Sequence, residues 1–247
     1  MDTWKFFDVI HRDHLFCNPL SSEKADQIIE VLDLTPGARV LDIACGKAEL
    51  TIRVAERYDA TGVGVDISPF CIRHARARAA GRVPDGALEF TEADGAAYEA
   101  APGSFDLAIC LGASWVFGGH RGTLEALTRA VRPGGLVLVG EPFWRMEPPE
   151  EYLRLSETPR GAFDSHEGNM RVGAEVGLVP LYVLASSQDE WDHYEGLHVQ
   201  AAELYALEHP DDPDVPELVE RSRRYRGLYM RFEREVLGEG FYLFLRP

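Results

Sequence analysis

Val40-Leu41-Asp42-Ile43-Ala44-Cys45-Gly46-Lys47-Ala48-Glu49-Leu50 is an apolar run that passes, through small residues at alternate positions, into a helical stretch. The run has strand composition as far as Ala44. Small side chains at 44, 46 and 48 let a ligand approach the backbone between strand and helix. Val63-Gly64-Val65-Asp66-Ile67-Ser68 follows, a second short run closed by a carboxylate. Outward from this pair, β-type runs at 38–44, 60–67, 87–94, 105–112 and 135–143 alternate with predicted helices near 48–58, 68–81 and 123–132 and a short piece at 96–101. Strands alternating with helices build a parallel sheet covered on both faces. A sixth run at 178–185 and a last at 241–245 complete an α/β, doubly wound, seven-stranded and mostly parallel sheet.

The flanks differ. Residues 1–37 read as a helical lead-in, with Ser21 and Ser22 as caps and Pro36-Gly37 as its break. Residues 144–161, rich in proline and charge, read as an irregular excursion, and 162–177 as a helix ended by Gly177. In 189–238 two helices are predicted. His209-Pro210-Asp211-Asp212-Pro213 stops the first, and Gly238 and Gly240 end the second. The expected organisation is a lead-in lid (1–37), a core (38–188 with 239–247) and a helical insertion (189–238) that is not an independent domain. Glu217 and Glu220 stand four residues before Arg221 and Arg224, the pattern of a solvated helix face.

Composition excludes several classes. The 25 basic residues face 41 acidic ones, a net charge of -16, which repels phosphate backbones and anionic membrane surfaces. No apolar run approaches the roughly 20 residues that span a bilayer, and the N-terminus lacks the build of a signal peptide. A cytoplasmic location is expected. Cys17, Cys45, Cys71 and Cys110 have no C-x-x-C spacing and read as reduced thiols. No histidine spacing suggests a metal site.

Parallel strands place their carboxyl ends on one edge, where ligands bind. Asp66, closing the second strand, can take both hydroxyl protons of a ribose diol. Asp94-Gly95, after the third, places an acceptor for an adenine amine. Carbonyls at the end of the fourth suit an ammonium group. Asp42 either fixes the first turn or meets the ligand. The turn is not G-x-G-x-x-G, so a dinucleotide-binding dehydrogenase with a similar sheet is the weaker reading.

Asp42 to Glu49, Asp66, Asp94-Gly95, Phe105-Asp106 through Leu111, and Arg132-Pro133-Gly134-Gly135 resemble the successive motifs of class I S-adenosylmethionine-dependent methyltransferases. Asn18-Pro19, Gly112-Ala113 with Trp115, Gly118-Gly119, Glu141-Pro142 with Trp144-Arg145, and Trp191-Asp192 with Tyr194-Glu195 are similar to a bacterial group within them. The resemblance implies an antiparallel last strand and S-adenosylmethionine as cofactor. It also implies backbone contacts to the methionyl part from Ala44 and Gly46, the ribose on Asp66, adenine packed on Ile67 and met by Asp94, and the Leu111 carbonyl on the ammonium. Ala44 and Ala48 stand where the family has glycine, an exchange tolerated where those backbones avoid positive φ.

Methyl transfer from a sulfonium disperses or cancels charge, so the protein must bind, align and dry the pair. No metal is required, and the partner expected is a small molecule rather than nucleic acid or membrane. The lead-in, residues 144–161 and the insertion form the expected lid. Trp115, Trp144, Arg145, Trp191 and Tyr194 are candidate walls of the acceptor pocket. Glu141 and His120 are candidate bases. The fourth strand end carries neither the Asn/Asp-Pro-Pro-aromatic motif of base-amine methylation nor a Pro-Cys nucleophile, and no aspartate cluster for a magnesium-assisted reaction is evident. A cofactor-binding protein without catalysis is the other alternative.

Overall fold

Helix α1 (Thr3–Ile10) starts where Asp2 accepts a hydrogen bond from the Lys5 amide at 2.8 Å, and α2 (Ser22–Leu32) where Ser21 does the same for Lys24. β1 (Arg39–Ile43) then opens the alternation, followed by α3 (Glu49–Tyr58), β2 (Thr61–Asp66), α4 (Pro69–Ala79), β3 (Leu88–Glu92), β4 (Phe105–Leu111), α5 (His120–Ala130) and β5 (Val131–Trp144). Two helices, α6 (Glu150–Ser156) and α7 (His166–Glu175), lead to β6 (Val179–Ala185). The chain closes with α8 (Gln188–Glu208), α9 (Val215–Leu228) and β7 (Leu237–Leu245). The computed structural model describes all 247 residues.

The seven strands form one sheet in the order β3-β2-β1-β4-β5-β7-β6. Only β7 is antiparallel to its neighbours, as the resemblance implied. Alternate side chains divide between two cores. Val40, Leu107, Ile109, Leu138, Phe241 and Leu243 meet Ile28, Leu50 and Val54 of α2 and α3. Leu41, Ile43, Ala108, Val137, Val139 and Phe244 meet Leu124 and Leu127 of α5 on the other face. Burial on both sides is why β1 and β4 read as nearly unbroken apolar runs. Strand order reverses outward from β1 and β4, which opens a crevice at their carboxyl ends.

The elements depart from expectation in several places. The stretch 144–161 is not irregular throughout. Pro148-Pro149 and the first-turn acids Glu150 and Glu151 start α6, and Tyr152 buries itself beside Phe232 and Trp144. The expected piece at 96–101 is a single turn at Gly95–Ala97. Helix α5 starts at His120 rather than 123. Gly238 and Gly240 do not end a helix. The second helix runs on through a π turn at Tyr229–Glu233, and β7 starts at Leu237, four residues early. A Cβ on Gly238 would overlap the Phe143 ring and one on Gly240 the Tyr242 hydroxyl, so these glycines mark strand packing. The arginines of α9 do not form the i,i+4 pairs. Arg223 reaches across to Glu203 at 2.7 Å, and Arg221 lies over the Phe6 ring at 3.9 Å. All four cysteines are free. No helix is long and apolar enough to cross a membrane.

Candidate active site

The crevice holds a cleft of about 1030 Å³ including its open mouth. Asp42, Ala44, Gly46, Asp66, Ile67, Asp94, Gly95 and Leu111, brought from four strand ends, all line it. Trp4, Phe7, Leu15, Phe16, Cys17 and Asn18 of the lead-in cover it from above.

The β1–α3 turn is built from left-handed backbones at Ala44 (φ 57), Gly46 (φ 55) and Ala48 (φ 58). The condition under which alanine replaces glycine there without strain, a backbone that avoids positive φ, is not met. Only the absence of bulk survives, since Cys17 lies 3.3 Å from where a Gly46 Cβ would sit. Ala48, at the cap position before α3, supplies no side-chain cap, so the helix's first N–H groups stay available beside the cleft. Asp66 holds this turn. Its Oδ2 accepts from the Gly46 N–H at 2.8 Å and its Oδ1 from the Ser68 N–H at 2.8 Å. Each oxygen keeps a second lone pair. Burial raises the Asp66 carboxyl above the ordinary range despite those two bonds. Asp42 accepts from the Thr51 hydroxyl, which anchors β1 to α3. Burial, with Asp66 adding like charge, pushes its carboxyl up to about 7. Asp94 is exposed, with Oδ1 on the Ala96 N–H at 2.9 Å. Ile67 presents an exposed apolar side chain, and a Cβ on Gly95 would press on Ile43 and Val116.

Two further lining residues carry charge that neighbouring groups hold, and Glu49, which with Asp42, Asp66, Asp94 and Glu141 is an acid expected to favour a cationic cofactor, is one of them. Lys47 is buried, and its ammonium donates to the carbonyls of His11, Arg12 and His14, clamping the lead-in over the turn. Glu49 is neutralised by Arg82 at 2.8 Å and Arg53 at 2.9 Å, so it adds little negative field.

The candidate acceptor walls divide. Trp115, 67% exposed, lines the cleft. Trp144 does not: its Nε1–H donates to the Arg160 carbonyl at 2.9 Å, and its ring packs on Phe163 and Tyr152. Trp191 packs in the same cluster beside Tyr229. Arg145 donates to the carbonyls of Leu237 at 2.7 Å and Ser186 at 3.1 Å, tying β5 to the β7 entry. Tyr194 lies behind the lead-in. Its hydroxyl donates to the Cys17 carbonyl at 3.2 Å and stands 2.9 Å from His11 Nε2.

Glu141 and His120 are also off the cleft wall. They meet behind it, with Glu141 Oε2 3.8 Å from His120 Nδ1 and neither atom otherwise partnered. Glu141 Oε1 accepts from the Ser114 hydroxyl at 3.1 Å, and His120 Nε2–H donates to the Asn169 carbonyl at 3.0 Å. Burial pushes Glu141 up to about 7 and lowers His120, which favours an uncharged pair. His120 is the first residue of α5, with its side chain 9% exposed.

Residues 40–135 match a methyltransferase domain family. The chain is 30% identical over 244 residues to the protein YjhP of Escherichia coli strain K12, covering 98% of each. A crystal structure of an S-adenosylmethionine-dependent methyltransferase from Geobacter sulfurreducens, in complex with S-adenosyl-L-homocysteine, superposes with a TM-score of 0.91 at 30% identity over 98% of each chain. One from Thiobacillus denitrificans, in the same complex, gives 0.91 at 29% identity over the whole of both chains. A sheet of this order, a small-residue turn at its switch point and relatives matched end to end place the chain in one family: it belongs to the class I S-adenosylmethionine-dependent methyltransferases.

Proposed function

We propose that this methyltransferase moves the methyl group to oxygen, nitrogen or carbon of a small-molecule acceptor by direct in-line displacement. The observation that carries the reading is the convergence of four strand ends on one roofed cleft. The bound cofactor supplies an electrophilic methyl on a sulfonium and leaves as a neutral thioether.

The residues fit that group. Asp66 retains lone pairs for a ribose diol while fixing the turn beneath it. Ile67 offers an apolar face to adenine, and Asp94 Oδ2 has no protein donor and suits its amine. Ala44 and Gly46 let the methionyl chain approach the backbone, the uncapped start of α3 suits its carboxylate, and Leu111 closes the far side. Asp42 and Asp66 favour a cation. Trp4, Phe7, Leu15 and Phe16 exclude water, which strengthens charge interactions inside. A net charge of -16 and an enclosed apolar roof favour a compact acceptor over a nucleic acid.

Calorimetry with S-adenosylhomocysteine tests the seat of the cofactor. Wild-type protein binds it, and Asp66→Ala weakens binding by about tenfold or more, the scale of one lost charge-assisted hydrogen bond. Equal affinities would refute the assignment. A metabolite screen reading S-adenosylhomocysteine formation then identifies the acceptor, and binding without turnover across the screen would favour a cofactor sensor.

A further inference from the structure

Among the buried carboxyls, Glu239 alone receives no hydrogen bond. Asp42 has Thr51, Glu49 has Arg53 and Arg82, Asp66 has two amides and Glu141 has Ser114. Glu239 is 4% exposed, on β7 opposite Pro142, and its Oε1 is unpartnered. A native fold does not bury a carboxyl without a donor at no cost, so such a group points to a ligand or water.

What surrounds it points to a ligand. Glu239 Oε1 lies 3.2 Å from where a Cβ on Gly140 would stand and 3.8 Å from one on Gly112. The Asn18 carboxamide oxygen occupies the same space over Gly112, whose φ of +65° already favours glycine. Asn18 uses its backbone carbonyl to hold Leu20, and its side chain bonds to nothing in the protein. Asn18 and Gly112 both line the cleft. An unpartnered carboxyl oxygen and a carboxamide oxygen therefore approach the backbone where two glycines lack a Cβ, with Asn18 and Gly112 on the cleft wall and Glu239 directly behind it.

Position along the rim gives this place a meaning, and this step rests on the cofactor seat proposed above. With adenine at Ile67 and Asp94 and the amino-acid end at Leu111, the cofactor crosses from β2 over β1 to β4. Next outward lie β5 and β7. Gly112, Asn18 and Glu239 thus stand on the side of the sulfonium and amino-acid chain, remote from adenine.

We propose that Glu239 and Asn18 form a subsite for an N–H or O–H donor, an amine or hydroxyl, on that side of the cleft. Such a donor has two sources, the cofactor's own α-ammonium and the acceptor's nucleophilic group. A carboxylate beside a carboxamide oxygen suits either and offers nothing to an anion.

The test compares S-adenosylhomocysteine with sinefungin, an analogue that carries an amine where the transferred methyl would stand. Calorimetry is run on wild type, Glu239→Gln and Asn18→Ala, with circular dichroism to show that each is folded. Burial, with Glu141 adding like charge, raises the Glu239 carboxyl well above its ordinary range, so a seated cationic donor is what draws out its charge; Glu239→Gln keeps the side-chain shape and cannot take up that charge. It is expected to weaken binding by about tenfold, the worth of a charge-assisted hydrogen bond. Loss confined to sinefungin assigns the subsite to the acceptor's group, and equal loss for both ligands assigns it to the α-ammonium. Affinities of both variants within about twofold of wild type for both ligands overturn the subsite while leaving the cofactor seat intact. A wild type that binds neither ligand overturns the cofactor seat itself, and the subsite with it.

Discussion

Ala44 and Ala48 carry left-handed backbones that alanine adopts only against its Cβ. For an L-residue that conformation costs roughly 1–2 kcal/mol, partly offset by the smaller unfolded-state entropy of alanine relative to glycine. Ala48→Gly is therefore expected to raise stability by about 0.5–1 kcal/mol, read as a higher urea midpoint at an unchanged m-value. A lower midpoint would mean that contacts of the buried Ala48 methyl outweigh the backbone term. The sequence shows why the site was only partly legible at this scale. Asp66, Ile67, Asp94 and Leu111 were readable because each ends an apolar run, and run ends fix the edge of the sheet. The φ at Ala44 leaves no mark in composition. Glu239 was invisible too. Its meaning comes from Asn18, 221 positions earlier in the chain, from Gly140 on β5 and from Gly112 just past β4.

At the scale of elements, the lead-in is held over the cleft by helices remote in sequence. Phe6, Val9 and Ile10 of α1 pack on Ala202 and Leu218 of α8 and α9. Beside them, His11, His14 and His198 gather with ring centroids 4.4–4.9 Å apart, and His14 Nε2 lies 2.9 Å from the Tyr194 carbonyl oxygen. Burial, with His198 and the Lys47 ammonium adding like charge, pushes His14 down to about 4 and His11 lower than its ordinary value. A depressed histidine binds fewer protons folded than unfolded, so stability rises with pH across the interval from about 4 to 6.5 and is lost as pH falls through it. For His14 the loss at pH 5 is about 2 kcal/mol. Asp42, Glu141 and Glu233, raised to about 7, act with the opposite sign over the same interval. The comparison must therefore be a difference: His14→Asn should lose less stability than wild type between pH 7 and pH 5, by about that amount, in parallel urea titrations. Identical losses would show that the cluster opens to water without protonation cost. None of this clasp was legible, because period alone gives a helix its stripe but not its partner. The same gap explains Trp144 and Trp191. Both read as pocket walls, yet they pack with Tyr152, Phe163 and Tyr229 around the β7 entry.

For the molecule as a whole, the alternation of runs and helices dictated a doubly wound sheet, and the sheet dictated one ligand edge, which is why architecture was the most legible level. The seat so created is assembled from the lead-in, four strand ends and the start of α3, with Lys47 and the α8 cluster holding the roof. A ligand that touches all of these stabilises the native state and has no counterpart in the unfolded chain. At one hundred times its dissociation constant, S-adenosylhomocysteine is expected to add about 2.7 kcal/mol. For a chain of 247 residues this corresponds to a rise in Tm of about 5–10 °C. A tenfold weaker Asp66→Ala should show only about half that gain, roughly 1.4 kcal/mol, at the same ligand concentration, and a nicotinamide dinucleotide should produce none in the wild type, because the β1–α3 turn lacks the glycine pattern for a pyrophosphate. A melting temperature indifferent to S-adenosylhomocysteine but raised by the dinucleotide would reverse the assignment of the cleft while leaving every strand in place, because the sheet places the edge and the residues upon it choose the ligand.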